Sequence, residues 1–394
     1  MTRVASSAPR ILVVLSSTNQ LYSGTGTALF DWIRVARGAI AFTVAIDTKE
    51  PRNAAIAARF CQSLGLRFIP ASANLLPGCP DHGIRDVARL CVSEPWDAIE
   101  CVSWANASTN LGVLNAIGEN TRLIFTPHTQ PIWTLGDWEP FFMIVPVFQR
   151  MVARSDLIVV DSPDELEQLG IAATPRERTA WLPLGVDSKI FSFDGSLIEG
   201  KLLSVCDFRE PRKRADLLLE AFCRATRRGP EIAMTIAGSG SDIYPIPGEI
   251  SNRVRRLGYV TLDRLVEEYR RCGAFVLLSD YEAFGLPIAE ALCCGAPVVI
   301  NRQKELERVF GDLPGVTFVD NKDTVEVARV MLNVLAKSYD RREIAETATA
   351  RFSFANTYGR KLDLVLRMLG REPVGDGIGS RHRLSLEGEL RCSG

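Results

Sequence analysis

Two glutamates eight positions apart, Glu282 and Glu290, bracket the run Ala-Phe-Gly-Leu-Pro-Ile-Ala, which follows the apolar stretch 274–278. Carboxylates are strong hydrogen-bond acceptors, so a pair of them suits a neutral polyol whose hydroxyls donate. Pro287 fits the first turn of a helix, where its missing N–H would be unpaired anyway, and Gly295 with Pro297 fits the helix end. The spacing therefore predicts a short helix over about 287–294. Glu282 then lies in the loop off the carboxyl end of a strand, beside the backbone N–H groups of Phe284, Gly285 and Leu286. Backbone donors at the positive end of a helix dipole make an anion site, and open α/β sheets bind ligands at that edge. Glu290 alone would fit equally well as an acidic residue in a helix's first turns, gaining about 0.3–1 kcal/mol from the dipole. In the company of Glu282, Gly285 and Pro287 it reads as a second ligand contact.

A second cluster supplies positive charge. Arg209, Arg212, Lys213 and Arg214 gather where the predicted strand 201–205 gives way to an amphipathic helix. There they could give a diphosphate charge-assisted hydrogen bonds, and arginine can bind two oxygens at once. Standing alone, the cluster would be a solvated basic turn. No Asp-x-Asp pair stands in a context that suggests a magnesium site, so the basic residues are expected to neutralise the anion without a metal.

Near the N-terminus, Gly24 and Gly26 follow the strand 11–15 and precede an apolar helical pattern that starts at Ala28. Glycines there would let backbone approach a phosphate or sugar closely. A dinucleotide oxidoreductase is an alternative, because Asp47 ends the second strand near the place of a ribose-binding acid. Against it, the glycines start well after the strand and the third glycine position is Leu29. His128, just after the strand 122–125, sits where loop residues line a cleft; the plainer alternative is a satisfied, partly buried histidine. His82 and His382 receive no role. Trp133, Trp138, Phe141 and Phe142 precede an apolar run at 143–148, which packing explains better than lipid contact, since no polybasic flank accompanies it.

These residues need elements to hold them. Short aliphatic runs at 11–15, 42–46, 122–125 and 157–160 each lead into a helical pattern, and the series restarts with 201–205, 232–237, 274–278, 298–300 and 316–319. Such alternation predicts two parallel sheets with crossover helices, joined by a linker near 186–200. Apolar residues at helical spacing over 355–369 predict a closing helix that must dock. Residues 372–394 are rich in glycine and charge and read as a disordered tail.

The bulk properties narrow the function classes. A chain of 394 residues with 46% hydrophobic content fits two domains. Lys plus Arg number 46 against 47 Asp plus Glu, so no global field gathers nucleic acid or an anionic membrane. Ten scattered cysteines without a Cys-x-x-Cys pair indicate neither a zinc site nor a disulfide framework. With no signal-peptide pattern and no spanning apolar run, a reducing, cytoplasmic setting is expected, with peripheral membrane contact as the most that composition leaves open.

The Glu-x7-Glu spacing at 282–290, together with 153–162, the Trp181-Leu-Pro-Leu-Gly-Val-Asp187 run and the Gly-Ser-Gly turn ending at Gly240, resembles the retaining glycosyltransferases of the GT-B fold, specifically the GT4-like (glycosyltransferase group 1) family. The likeness covers about residues 10–370 and is most specific over 200–300. It implies an acceptor-binding Rossmann-like domain over 1–190, a nucleotide-sugar donor domain over 191–352, a helix crossing back over 353–372 and a tail over 373–394. It implies that Glu282 lies near the transferred sugar and that Glu290 contacts the ribose. Arg209 and Lys213 would neutralise the leaving diphosphate, Gly24 and Gly26 would face the donor, and His128 would contact the transferred sugar or its surroundings. Tyr259 and Val260 would border the base. No cofactor beyond the sugar nucleotide is implied, and the acceptor is left open among saccharides, lipid-linked species and small molecules. The family usually carries glycines before a Pro-Glu pair where this chain reads Asn301-Arg-Gln-Lys-Glu-Leu-Glu-Arg-Val-Phe-Gly311. A sugar-nucleotide epimerase, which needs no acceptor, and a non-catalytic nucleotide-sugar-binding subunit are the alternatives on the same fold.

Overall fold

A computed structural model of the chain describes residues 8–15, 24–46, 51–70, 81–102, 107–128, 141–162, 165, 178–229 and 231–373. Parallel strands cannot be joined by hairpins, so each neighbouring pair needs a crossover, and the chain supplies helices for them. The first sheet contains β1 (Arg10–Leu15), β2 (Ala41–Ile46), β3 (Arg67–Pro70), β4 (Ala98–Val102), β5 (Arg122–Thr126), β6 (Leu157–Val160) and β7 (Thr179–Trp181), in the order β3-β2-β1-β4-β5-β6-β7 with every pairing parallel. Helices α1 (Gly24–Ala36), α2 (Pro51–Ser63), α3 (Asp81–Ser93), α4 (Ala107–Ala116) and α5 (Phe141–Arg154) lie between the strands in sequence. Because both faces are covered, β1 is buried throughout Ile11–Leu15: Ile11, Val13 and Leu15 join Trp32 and Ile33 on one side, while Leu12 and Val14 join Phe125 and Met151 on the other.

The second sheet repeats the plan with β8 (Glu199–Val205), β9 (Ala233–Ala237), β10 (Val254–Arg256), β11 (Cys272–Leu277), β12 (Val298–Asn301) and β13 (Val316–Val319), ordered β10-β9-β8-β11-β12-β13 and again all parallel. Its helices are α6 (Ala215–Thr226), α7 (Leu262–Arg271), α8 (Leu286–Cys293), α9 (Lys304–Phe310), α10 (Thr324–Ala336) and α11 (Arg341–Phe352). The strand order reverses between β1 and β4 in the first sheet and between β8 and β11 in the second. A crevice opens at such a reversal beyond the carboxyl ends of the strands. The two Rossmann-like sheets form the GT-B arrangement that the Glu-x7-Glu resemblance implies.

The closing helix, α12 (Tyr358–Met368), starts three residues later than its apolar stripe, and Tyr358, Leu362, Val365 and Leu366 enter the same core as β1 and β2. It therefore docks on the first sheet although it follows the second in sequence. Where the chain passes from one sheet to the other, Val186 N donates to Phe352 O at 2.7 Å and Val186 pairs with Ser353, so the outgoing and returning segments run side by side.

One expectation changes, the packing of the 143–148 run is observed, and others lie outside the described residues. Helix α1 begins at Gly24 and not at Ala28, so Gly24 and Gly26 occupy its first turn instead of a loop before it. The run 143–148 belongs to α5, where Val147 and Phe148 pack beside Phe125. Trp133, Trp138, Asp47 and the tail 374–394 lie outside the described residues. Among the described residues, no helix is long and apolar enough to cross a membrane.

Candidate active site

The chain leaves β8 through a short 3-10 turn, Pro211–Lys213, and Arg214 closes it in the left-handed region at φ 50°. That turn aims Lys213 inward, where its Nζ lies 2.6 Å from Glu282 Oε1, and places Arg212 Nη1 at 3.9 Å from Glu282 Oε2. Glu282 itself stands in the loop after β11. The two loops are stitched together by backbone: Asp280 N donates to Arg212 O at 2.8 Å, and Arg212 Nη1 donates to Tyr281 O at 3.1 Å. Burial pushes the Glu282 carboxyl up, but the positive charges of Lys213 and Arg212 outweigh it and hold the group below the usual carboxylate range. Glu282 is thus an ionised acceptor inside the protein.

Helix α8 starts at Leu286 with Pro287 in its first turn, one residue earlier than the spacing predicts. Its N-cap is Gly285 at φ 84°, and a Cβ there would meet Ile288 Cδ1 at 2.6 Å, so only glycine fits this entry. The Phe284 ring packs on Phe310 and Phe352 at 5.6 and 5.7 Å between centroids, which anchors the loop from below. The N-cap, Gly285, has no side chain to cap α8, Pro287 carries no N–H, and Ile288 N donates to Gly285 O at 2.8 Å. The backbone N–H groups of the 284–286 entry are those a ligand can pair.

Glu290 lies farther along α8, where Tyr269 Oη donates to its Oε2 at 3.0 Å. Burial raises its carboxyl to about 8, against the pull of the Tyr269 hydrogen bond, with a further push from Asp31 on α1. Asp31 in turn is raised to about 6, chiefly by burial, with Arg34 opposing and Asp187 adding to it. Two carboxyls from the two domains therefore lie within electrostatic reach of each other and hold their protons unusually well.

His128 follows β5 at φ 45°, and its Nδ1 lies 2.7 Å from Asp161 Oδ2 at the end of β6. Burial disfavours the imidazolium, yet the Asp161 carboxylate and its hydrogen bond win and raise the histidine above its ordinary value. The pair lines a cavity with Glu100, Thr126, Tyr358 and Lys361. Tyr281, beside Glu282, has its hydroxyl pushed up by burial and by the first-domain carboxylates Glu165 and Asp161. Tyr281, next to Glu282, therefore lies within electrostatic reach of Asp161, the partner of His128.

Other residues singled out from the sequence are placed differently. Arg209 is two-thirds exposed and gives its Nε and Nη2 to Asp207 at 2.9 and 2.6 Å, without meeting Glu282 in the described contacts. Arg214 pairs with Asp216 and Asp280. Tyr259 is fully displayed on the loop after β10 and Val260 is half-buried beside it. That loop is fastened to the glycine turn after β9, because Gly238 N donates to Gly258 O at 2.8 Å and Gly258 N donates to Ser241 Oγ at 2.9 Å. Gly24 is exposed and Gly26 buried at the start of α1. Sequence reasoning gave no role to Asp161, Asp31, Tyr269 or Gln303. Only Asp161 left a local signal, as the acid that ends a strand.

Residues 199–351 match the model of the family described as Glycosyl transferases group 1. Among curated proteins, the chain is similar to D-inositol 3-phosphate glycosyltransferase of Geodermatophilus obscurus, 29% identical over 241 residues that make up 55% of this chain and 52% of the relative. It is also similar to O-antigen chain mannosyltransferase B of Escherichia coli, 35% identical over 143 residues, 34% of this chain and 37% of the relative. The chain spans about half the length of the curated relatives it matches first. Among solved structures, Anabaena HepE in complex with UDP and glucose superposes with a TM-score of 0.71 at 16% identity, covering 91% of this chain and 99% of that one. The apo form of the lipopolysaccharide outer core galactosyltransferase WaaB gives a TM-score of 0.69 at 14% identity, covering 91% of this chain and 99% of that one.

Proposed function

We propose that the chain is a group 1 glycosyltransferase of the GT-B fold, as the match over residues 199–351 supports, and that it moves a hexosyl group from a nucleoside diphosphate sugar to an acceptor hydroxyl with retention of anomeric configuration. The observation that carries this reading is the Lys213–Glu282 pair, 2.6 Å apart, beside the uncapped start of α8 at the β8/β11 reversal. A diphosphate entering there meets Lys213, Arg212 and the α8 N–H groups. These positive groups stabilise the charge that builds on the leaving diphosphate as the glycosidic bond breaks, which is the largest kind of catalytic term where the donors are already in place. Arg209 lies at the rim, where a swing away from Asp207 brings its guanidinium to the outer phosphate.

As Lys213 turns toward phosphate, the Glu282 carboxylate is released to accept hydrogen bonds from the sugar hydroxyls. Glu290 accepts from the ribose, Tyr259 and Val260 border the base, and Gly24 and Gly26 let α1 close over the donor from the opposite domain. His128, held by Asp161, contacts the transferred sugar. No side chain is assigned as general base; the leaving phosphate oxygen takes the acceptor's proton. The donor is expected to be a hexose nucleotide, with UDP-glucose the first to try in view of the UDP and glucose bound to HepE.

Thermal melts against UDP-glucose, GDP-mannose, ADP-glucose and dTDP-glucose test the reading, because a ligand that binds only the folded state raises its midpoint. The expected result is a rise with one of them, followed by transfer that persists in EDTA, since basic residues here supply the charge. No shift with any donor would overturn the reading, and a shift without transfer to any acceptor would favour a non-catalytic, nucleotide-sugar-binding role. Turnover of the donor without acceptor to an epimer would make the protein an epimerase.

A further inference from the structure

The segment that departs from the family pattern, 301–311, does something specific to the Glu282 loop. Gln303 stands at the N-cap of α9, yet its side chain makes no capping bond to its own helix. It reaches instead to the neighbouring loop, where Nε2 donates to Ser279 O at 2.7 Å and Oε1 accepts from Glu282 N at 3.0 Å. One amide therefore spans the loop from its first residue to the glutamate. Two more amides complete the brace. Asn301 Nδ2 also donates to Ser279 O, at 2.9 Å, and Asn301 Oδ1 accepts from Asn321 N at 3.1 Å. Asn321 Nδ2 donates to Leu278 O at 2.8 Å and to Asp280 Oδ1 at 2.9 Å. Asn301 and Asn321 are buried, and Ser279 is buried beneath them.

A side-chain amide offers a donor and an acceptor from one planar group whatever the pH, which is what the Ser279 carbonyl and the Glu282 N–H together require. A carboxylate at 303 could accept from Glu282 N but would turn an oxygen toward the Ser279 carbonyl. A thioether of the same length could do neither. On the opposite side of the loop stand Lys213 and Arg212. Glu282 is thus held at its backbone by Gln303 and at its carboxylate by the basic turn.

We propose that Gln303 is a positioning residue for the transferred sugar: it holds the Glu282 loop in the form that aims the carboxylate and the α8 N–H groups at the hexose, without touching the nucleotide. This rests on the glycosyltransferase function proposed above. Because the brace acts on the sugar end of the site, its loss must separate the sugar nucleotide from the bare diphosphate, which general loosening of the fold would not do.

The experiment compares the full-length wild type with Gln303→Met and Gln303→Glu by calorimetric titration with UDP and UDP-glucose, and with GDP and GDP-mannose, followed by steady-state turnover with the donor that binds. In the variants, affinity for the diphosphate should stay within about twofold while affinity for the matching sugar nucleotide falls about tenfold and kcat falls about tenfold to a hundredfold, the usual size of a misplacement near one ångström. If both variants keep the wild-type ratio of the two affinities and the wild-type kcat, the inference is overturned and the glycosyltransferase reading stands. If sugar nucleotide and diphosphate weaken together by the same factor, Gln303 acts on the fold alone and the inference is likewise overturned. A wild type that binds none of the UDP-, GDP-, ADP- and dTDP-sugars overturns the reading on which the inference rests.

Discussion

Glu282 keeps its charge inside the protein because Lys213 and Arg212 stand beside it. Removing Lys213 alone leaves a buried carboxylate poorly compensated, a change that costs about 3–5 kcal/mol in comparable pairs. Lys213→Ala should therefore lose both stability and transfer. The double variant Lys213→Met with Glu282→Gln removes both charges and should recover much of the stability while staying inactive. Melting curves and turnover for the three proteins check this, and an active double variant would remove Glu282 and Lys213 from the chemistry. Glu290 carries the opposite sign. Its folded-state carboxyl is raised to about 8, above its unfolded value near 4.5, so its favourable contribution is full below the lower value and is lost as pH rises through the higher. Glu290→Gln is neutral throughout, and its melting midpoint relative to wild type should climb between pH 5 and pH 8.5. A difference that stays flat across that range would mean that Glu290 ionises normally.

At the scale of elements, the entry to α8 is the part most exposed to a single methyl group. Gly285→Ala puts an L-residue at φ 84° and drives its Cβ toward Ile288. The left-handed conformation alone costs roughly 1–2 kcal/mol. The variant should melt lower and bind the sugar nucleotide more weakly, because the Phe284 to Leu286 backbone donors move with it; unchanged affinity would show that those donors do not hold the ligand. This element was legible from the sequence because glycine and proline punctuate it, and the strands 11–15 and 298–300 were legible because both their faces are covered and their runs are unbroken. Strand β4, Ala98–Val102, escaped because Glu100 sits in the middle of its run, and β3, β7 and β10 are short strands, all three at sheet edges. Helix α1 starts ahead of its apolar pattern, since that pattern marks only the face toward the core. Within the candidate site, the acidic pair and the basic cluster could be read from residue types. Which basic side chain turns inward could not, because the turn begun by Pro211 decides that Lys213 meets Glu282 while Arg209 stays with Asp207. Gln303 had no local signal at all, since its role depends on a loop 21 residues earlier that the sheet brings alongside.

For the whole molecule, the decisive contact joins residues 261 positions apart. Lys361 on α12 donates from Nζ to Glu100 Oε1 at 2.6 Å and lies 4.9 Å from the Trp32 ring centre, while Trp32 Nε1 donates to Glu100 Oε2 at 3.0 Å and Thr126 Oγ1 donates to Oε1 at 3.2 Å. Glu100 and Lys361 are both buried. The helix that follows the second sheet is thereby pinned into the first, next to the His128–Asp161 cavity, which Lys361 and Tyr358 help to line. Apolar contacts of Leu362, Val365 and Leu366 provide adhesion, but the ion pair fixes where along the sheet the helix stops. Lys361→Met should cost about 3–5 kcal/mol, because Glu100 would then be buried without its counter-charge. Adding Glu100→Gln should return most of that loss, since the amide oxygen can still accept from Trp32, its NH2 can donate to a Thr126 hydroxyl turned to accept, and the group carries no charge to strand. The coupling is read from a double-mutant cycle of thermal or denaturant unfolding, with donor affinity measured alongside. A Lys361→Met protein as stable as wild type would mean that the apolar stripe alone docks α12. A double variant that regains stability but binds donor less well would mean that the position of this helix, set from within the first sheet, is transmitted to the cleft that both domains share.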